Sequence, residues 1–398
     1  MKASHLDGRD DLRPAGADGR VLHYRSPFLA ESETFIRTLI AAHVRYEPEI
    51  LTHEQRGAPG IRDHDHTHVF PPSPGWVATL ARRWLVSRGI AERRRAVKSA
   101  LAAVRPDVLH AHFAEEGIAA WPPARRAKVP LIVTFYGYDA TELPRHLAWR
   151  LRIRRLFQGA TLVLAEGPHL RGRLEALGCP PGRLRVQPIA IQLERFPYRE
   201  PRPGPEAVIL QACRFVPKKG VDLTLRALAR ADRRTSARLR LIGDGPERAR
   251  LEALAAELGI ADRIQFLGMR THEEYARELA TADIFIQPSR YAASGDGEGG
   301  APTTLLEAQA VGLPVVATTH ADIPFVTHPE AARLAPEEDV RALAGHLDHL
   351  LAHPEEWPGR ARIGRRHVEE QHDAKVLVDR LEDIYDEARR IVSGGGES

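Results

Sequence analysis

The sequence has 398 residues, enough for two or three domains. Its apolar fraction of 43% and charged fraction of 28% are ordinary for a globular protein, which excludes a wholly disordered chain and a collagen-like repeat. The net charge is +4, no stretch approaches the about 18–20 uninterrupted apolar residues of a membrane-spanning helix, and the segment MKASHLDGRDDLRPAGADGR lacks the apolar run of a secretory signal.

Residues 1–19 read as a mobile polar tail. VLHYRS (21–26) has the character of a strand and ETFIRTLIAAH (33–43) that of a helix. Asp63-His64-Asp65-His66-Thr67-His68 has metal-ligand residue types, but its strict alternation fits a solvent-facing loop or edge strand, and no metal is expected. Segment 79–106 carries eight basic residues, among them Arg82, Arg93, Arg94, Arg95 and Lys98, against the single acid Glu92. Segment 145–155 adds five arginines. Two readings stand for such a basic helix over 79–104: a solvated face, or a surface for an anionic membrane. VLHAHF (108–113), LIVTFYG (131–137) and TLVLAEG (161–167) are near-continuous apolar runs, as expected of parallel strands covered on both faces.

A proline-rich stretch, PYREPRPGPE (197–206), reads as a linker, and a second alternating series follows it. AVILQACRF (207–215), LRLIGDG (239–245), IQFLG (264–268), DIFIQPS (283–289) and LPVVAT (313–318) read as strands with helices between them. The segment 374–392 is amphipathic. The pattern is βαβα repetition twice over: a Rossmann-like domain at 20–196, a second at 207–373, and a C-terminal helix and tail at 374–398. In such a chain a ligand cleft is expected between the halves, beyond the carboxyl ends of the strands. Cys179 and Cys213 are the only cysteines and there is no CxxC, so a disulfide framework is not expected and a cytoplasmic setting fits.

Three loops after strands of the second half concentrate polar chemistry. Glu298-Gly299-Gly300-Ala301-Pro302-Thr303 leads from a strand into the helix that continues through Glu307. Its small residues allow close backbone approach, and the helix start favours an anion such as a diphosphate. Glu298 and Glu307 flank it, and an ionised carboxylate accepts two hydroxyl protons, as a sugar or a ribose offers them. The alternative for Glu307 is a capping box with Thr304. Arg214 and Lys219 sit on a second loop, either as the cations that neutralise a leaving diphosphate or as an ordinary basic turn. Gly243-Asp244-Gly245-Pro246 is a third loop, either ligand-binding or a plain turn. In the first half, His110 and His112 lie two apart on one strand and face the same side.

These elements together resemble the retaining, nucleotide-sugar-dependent glycosyltransferases of family 4, which have the GT-B fold. The resemblance implies that Glu298 contacts the donor sugar, Glu307 the ribose, and Arg214 and Lys219 the diphosphate. The loop around Leu267, Gly268 and Met269 resembles the segment that meets the base. Ser32-Glu33-Thr34-Phe35-Ile36 is similar to an N-terminal signature of exopolysaccharide enzymes of the colanic-acid type. The spacing here is Glu-x8-Glu, one residue longer than the family's usual motif. Phe135-Tyr136-Gly137-Tyr138-Asp139 stands where many members have Phe-His-Gly-x-Asp, so Tyr136 replaces a histidine placed near the reacting sugar.

The resemblance implies a glycosyltransferase with a nucleoside diphosphate sugar as co-substrate and a carbohydrate or lipid-linked acceptor. Glu298, Arg214 and Lys219 are the expected catalytic groups. Glu307, Gly299, Gly300, Ala301, Pro302, Thr303, Gly243 and Met269 are the expected donor contacts. His112, Tyr136, Asp139 and Glu33 are the acceptor-side candidates. No cofactor, metal or nucleic acid partner is expected, and attachment to the inner face of a membrane would run through 79–104. The alternatives are a nucleotide-sugar epimerase or hydrolase of the same fold, or a non-catalytic protein binding anionic membranes or nucleic acid.

Overall fold

Apolar strands and amphipathic helices alternate along the chain and settle into two parallel sheets. The computed structural model describes residues 18–26, 34–52, 67–69, 82–202, 204, 206–231 and 237–394, without the side chains of 69 and 82–88. The chain divides into two domains. The first holds the described residues through Ala165, then Arg171–Gln187, and those from Leu377 onward; the second holds Glu166–Leu170 and Pro188–Val376. Residues 1–17 of the tail expected at 1–19, Glu33 and the Asp63–His66 part of the histidine-rich segment lie outside the described residues, while Gly19 already begins the first strand, because its backbone pairs with the neighbouring strand at Tyr46.

The first series runs β1 Gly19–Tyr24, α1 Thr34–Ala41, β2 Tyr46–Thr52, β3 Thr67–Val69, α2 Arg82–Val104, β4 Val108–His112, α3 Ala114–Ala127, β5 Leu131–Phe135, α4 Tyr138–Thr141, α5 Leu147–Gly159, β6 Leu162–Ala165, α6 Pro168–Ala176 and β7 Leu184–Val186. Its strands lie in the order β3-β2-β1-β4-β5-β6-β7 with parallel pairing. Every residue of β4, β5 and β6 is buried, which is why these strands read as unbroken apolar runs. β3 is an edge strand, and His68 there meets the Glu49 carboxylate at 2.9 Å. α2 buries Ala96, Val97, Ala100, Leu101 and Val104 at helical spacing and leaves Arg94, Arg95 and Lys98 in solvent. No described helix is long and apolar enough to cross a membrane.

The second series runs β8 Ala207–Ala212, α7 Val221–Arg230, β9 Ala237–Ile242, α8 Arg248–Glu257, β10 Ile264–Gly268, α9 His272–Thr281, β11 Ile284–Gln287, α10 Thr303–Val311, β12 Val315–Thr318, α11 Ile323–Val326, β13 Ala332–Ala335, α12 Val340–Ala352, α13 Trp357–Gln371 and α14 Ala374–Gly394. The sheet order is β10-β9-β8-β11-β12-β13, again parallel. One buried cluster joins Ile209, Leu239, Leu241, Ile284 and Ile286 to helices on one face; a second joins Leu210, Phe285, Val315 and Ala317 to Leu305, Leu306 and Val311 on the other. The proline-rich segment 197–206 lies within the second domain, where the Arg199 N–H donates to the Val311 carbonyl at 2.9 Å. From Leu377 onward α14 belongs to the first domain, and its stripe of Leu377, Val378, Leu381, Tyr385 and Ala388 is buried. Two doubly wound domains with a returning C-terminal helix are the GT-B architecture expected from the sequence.

Candidate active site

In both sheets the strand order reverses beside the first strand, between β1 and β4 and between β8 and β11. Ligands of open α/β sheets lie beyond the carboxyl ends of the strands at such a point. In the second domain the loops after β8 and β11 meet there. The Lys219 Nζ lies 2.7 Å from the Glu298 Oε1, and the Ser289 hydroxyl donates to the same oxygen at 2.9 Å. Burial opposes ionisation of Glu298, but Lys219 and Lys218 outweigh it and hold the carboxyl below the usual range. Lys219 is fixed through its backbone: its carbonyl accepts from the Gln211 side chain at 3.0 Å and the Gln287 side chain at 3.3 Å. The Glu298 N–H donates to the His320 Nε2 at 2.9 Å, so that ring carries its proton on Nδ1, 2.8 Å from the Glu337 carboxylate. Arg214 stands exposed on the loop after β8 and makes no ion pair among the described residues.

α10 begins at Thr303, and Pro302 ahead of it supplies no side-chain cap. The capping box with Thr304, the alternative for Glu307, does not form. The Glu307 Oε2 instead accepts from the Tyr275 hydroxyl at 2.7 Å, and the Thr304 hydroxyl is buried without a hydrogen-bond partner among the described residues. Burial pushes the Glu307 carboxyl up to about 7, with the Tyr275 hydrogen bond acting against it. Gly299 is half-buried, with Ala301 and Thr303, while Gly300 and Pro302 are buried. A Cβ at Gly300 would fall 2.3 Å from the Glu166 Oε2. Gly243 has φ +124°, and a Cβ there would fall 1.9 Å from the Cys213 carbonyl oxygen, so only glycine lets the loops after β8 and β9 touch. The Gly243 N–H also donates to the Gly268 carbonyl at 2.9 Å, placing Met269, 63% exposed, at the third strand end in this row.

In the first domain His112 ends β4 and is wholly buried. Its Nδ1 lies 2.6 Å from the Tyr136 hydroxyl. Asp139 is also wholly buried: its carboxylate accepts the N–H groups of Tyr136, Gly137 and Ala114 at 3.1, 2.9 and 3.1 Å. It therefore ties the loop after β5 to the start of α3 and sets the Tyr136 backbone. Burial pushes its carboxyl up to about 7, against these three donors. Phe35, from the Ser32–Ile36 signature, packs on the Tyr136 ring with centroids 5.0 Å apart. Phe113, between β4 and α3, has φ +76°, a strained value for a side chain of that size. Its ring meets Tyr136 at 4.7 Å, and the Arg25 guanidinium covers it at 4.1 Å.

Two family models match successive parts of the chain: the model described as Glycosyltransferase Family 4 over residues 32–195, and the one described as Glycosyl transferases group 1 over 194–370. The amylovoran biosynthesis glycosyltransferase AmsK of Erwinia amylovora is 31% identical over 70% of this chain and 70% of its own length. The chain belongs to glycosyltransferase family 4. The putative colanic acid biosynthesis glycosyltransferase WcaL of Salmonella typhimurium is 33% identical over 61% of the chain, a match that spans 60% of that relative. Among solved structures, Anabaena Alr3699/HepE in complex with UDP superposes with a TM-score of 0.76 over 92% of this chain and 99% of that one, at 16% identity.

For a family 4 chain, the structure brings together Lys219 and Glu298, and separately His112, Tyr136 and Asp139. It leaves Arg214 and Met269 in solvent at the ends of β8 and β10. Sequence reasoning missed Gln211, Gln287, Ser289 and His320, which hold Lys219 and Glu298 in place. It also missed Tyr275 beneath Glu307. Gln211 and Gln287 had one signal to offer: a long polar side chain within an otherwise apolar strand needs a buried partner.

Proposed function

We propose that this chain transfers a glycosyl group, with retention of configuration, from a nucleoside diphosphate sugar to a carbohydrate or lipid-linked acceptor in polysaccharide or glycoconjugate synthesis. The observation that carries the reading is the ion pair of half-buried Lys219 with buried Glu298, beside the uncapped start of α10. A diphosphate at that helix start meets unpaired N–H groups, the Thr304 hydroxyl and the Lys219 ammonium. Arg214, exposed and without an ion pair among the described residues, is available to close on it. Positive charge placed where the leaving group gains its negative charge lowers the barrier to departure. Glu298, held ionised, accepts hydroxyl protons of the sugar, and Glu307 those of the ribose. The relatives named for colanic acid and amylovoran biosynthesis support the polysaccharide setting, and the UDP complex of the Anabaena protein supports a nucleotide donor. The reading includes no resident metal.

A thermal-shift panel of nucleoside diphosphates and their sugars tests donor binding, because a ligand that binds only the native state raises the melting temperature. At least one nucleoside diphosphate sugar is expected to raise it; no shift across uridine, guanosine and adenosine forms sinks the reading. Arg214→Ala is the cleaner variant, since Lys219→Ala strands a buried carboxylate. We expect it to melt as wild type does and to lose about 100–1,000-fold in turnover. Wild-type turnover would remove Arg214 from the mechanism.

A further inference from the structure

The helix α5, LAWRLRIRRLFQG, contains no acidic residue and turns Ile153, Leu156 and Phe157 into the first domain. Its opposite side leaves two leucines in water. Leu147 is 71% exposed and Leu151 50%, and a spacing of four residues puts them one turn apart on one face. Among the described residues no other helix exposes two large apolar side chains. Arg154 and Arg155 are exposed on the next turn of that face, and Arg150 is exposed beside it. The Arg154 Nε donates to the Leu177 carbonyl at 3.2 Å, which steadies that side chain along the surface. None of these three arginines makes an ion pair among the described residues.

The charge continues onto the neighbouring helices. α3 packs against both α2 and α5, and its last turn carries the exposed Arg125 and Arg126. The Arg94 guanidinium of α2 is held below its ordinary value, by desolvation first and then by the charges of Arg126 and Arg152. One cation from each of α2, α3 and α5 therefore stands within reach of the other two. Like charges gathered without acids repel one another, and an anion from outside relieves them. The guanidinium fork fits the oxygens of a phosphate. The basic helix read at 79–104 is the flank of this surface and not its centre, because α2 exposes no large apolar side chain among the described residues.

We infer that the outward face of α5, with the arginines of α3 and α2 beside it, docks the first domain on an anionic lipid bilayer. Leu147 and Leu151 enter the boundary of the acyl chains, and the arginines pair with lipid phosphates around them. The helix lies along the surface and does not cross it. Charge and leucines together select this occupant. A nucleic acid pairs with the arginines but leaves both leucines in water. It also needs rings on which to stack bases, and α5 offers none: Phe157 is buried, and Trp149 is half-buried with the Arg152 guanidinium 5.2 Å from its ring centre. A second copy of the chain meets the leucines with the same arginines and is repelled. A bilayer with anionic headgroups satisfies both kinds of side chain at once. The docking is a property of the first domain and is independent of the donor chemistry of the second.

The test is sedimentation of the full chain with vesicles, without donor or acceptor, so its result stands apart from the transferase reading. One set of vesicles is phosphatidylcholine alone; the other contains about one-third phosphatidylglycerol. The chain is expected to sediment with the anionic set, to be released by added salt, and to stay in solution with the neutral set. Arg150→Gln combined with Arg155→Gln is expected to weaken binding about 20-fold. Leu147→Ser combined with Leu151→Ser is expected to weaken it about tenfold with every charge kept. All four side chains are exposed, so both double variants are expected to melt as wild type does, which separates lost docking from lost folding. Equal sedimentation with the two sets of vesicles, or with neither, overturns the proposal. Wild-type affinity in the leucine variant also overturns it, and if a single-stranded oligonucleotide then binds as tightly as the anionic vesicles, the patch is a nucleic-acid surface instead.

Discussion

Glu298 and Glu307 flank one loop and stand in opposite electrostatic states. Glu298 lies against Lys219 and is held ionised, whereas Glu307 has a tyrosine hydroxyl for company and is pushed up to about 7. The consequence for stability has a definite sign. The folded value lies above the unfolded one, so between about pH 4.5 and 7 the folded chain binds the extra proton. Glu307 therefore favours the folded state at the acid end of that window, and its contribution falls away as pH rises through about 7. The difference is on the order of 3 kcal/mol at most. Glu307→Gln is expected to flatten this fall, seen as a smaller loss of urea stability between pH 5 and pH 8 than in wild type. Because Glu116 and Asp139 are also pushed up to about 7, the comparison with wild type is the informative quantity. Equal losses in the two proteins would mean that Glu307 is ionised throughout.

The start of α10 shows what an element does when its local signals point to one arrangement and its surroundings impose another. The Thr304-x-x-Glu307 pattern predicts a capping box; the fold turns Glu307 to Tyr275 and leaves the Thr304 hydroxyl buried and unpaired. A buried unpaired hydroxyl costs about 1–3 kcal/mol. Thr304→Val, close in shape, is accordingly expected to melt at or above the wild-type temperature while binding nucleoside diphosphates more weakly, by about tenfold in calorimetry. Lower melting with unchanged affinity would make Thr304 purely structural. The same helix marks the limit of legibility. Its existence, the strand before it and the glycine-rich loop between them all follow from local pattern. That Lys219 would meet Glu298 does not, because the two are brought together by the pairing of β8 with β11, strands separated by two intervening βα units. Likewise Gln211 and Gln287 lie on those two strands, and only their pairing shows that both reach the carbonyl of Lys219.

At the scale of the whole chain, periodicity sufficed for two doubly wound domains, since strands covered on both faces are unbroken apolar runs. Less could be read of α14. Its apolar stripe marks a buried face, but the value of Glu382 within it depends on partners some 340 residues earlier. Glu382 accepts three consecutive backbone N–H groups at Val44–Tyr46, Asp386 takes the Tyr46 hydroxyl at 2.6 Å and Arg45 at 2.7 Å, and Glu387 pairs with Arg185. Tyr385 is wholly buried, edge-on to Tyr46 at 5.2 Å. These contacts make α14 from Leu377 a component of the first domain's core. A chain ending at Val376 removes that core helix, uncovers the apolar residues its buried stripe packs against, and takes away the carboxylate that accepts the N–H groups of Val44, Arg45 and Tyr46. Amide exchange is the measurement that resolves the effect by domain. Protection is expected to collapse across β1–β7 while β8–β13 keep theirs, because the second domain ends before the cut. If β1–β7 stay protected in the shortened chain, α14 is an ornament on the first domain rather than a part of it.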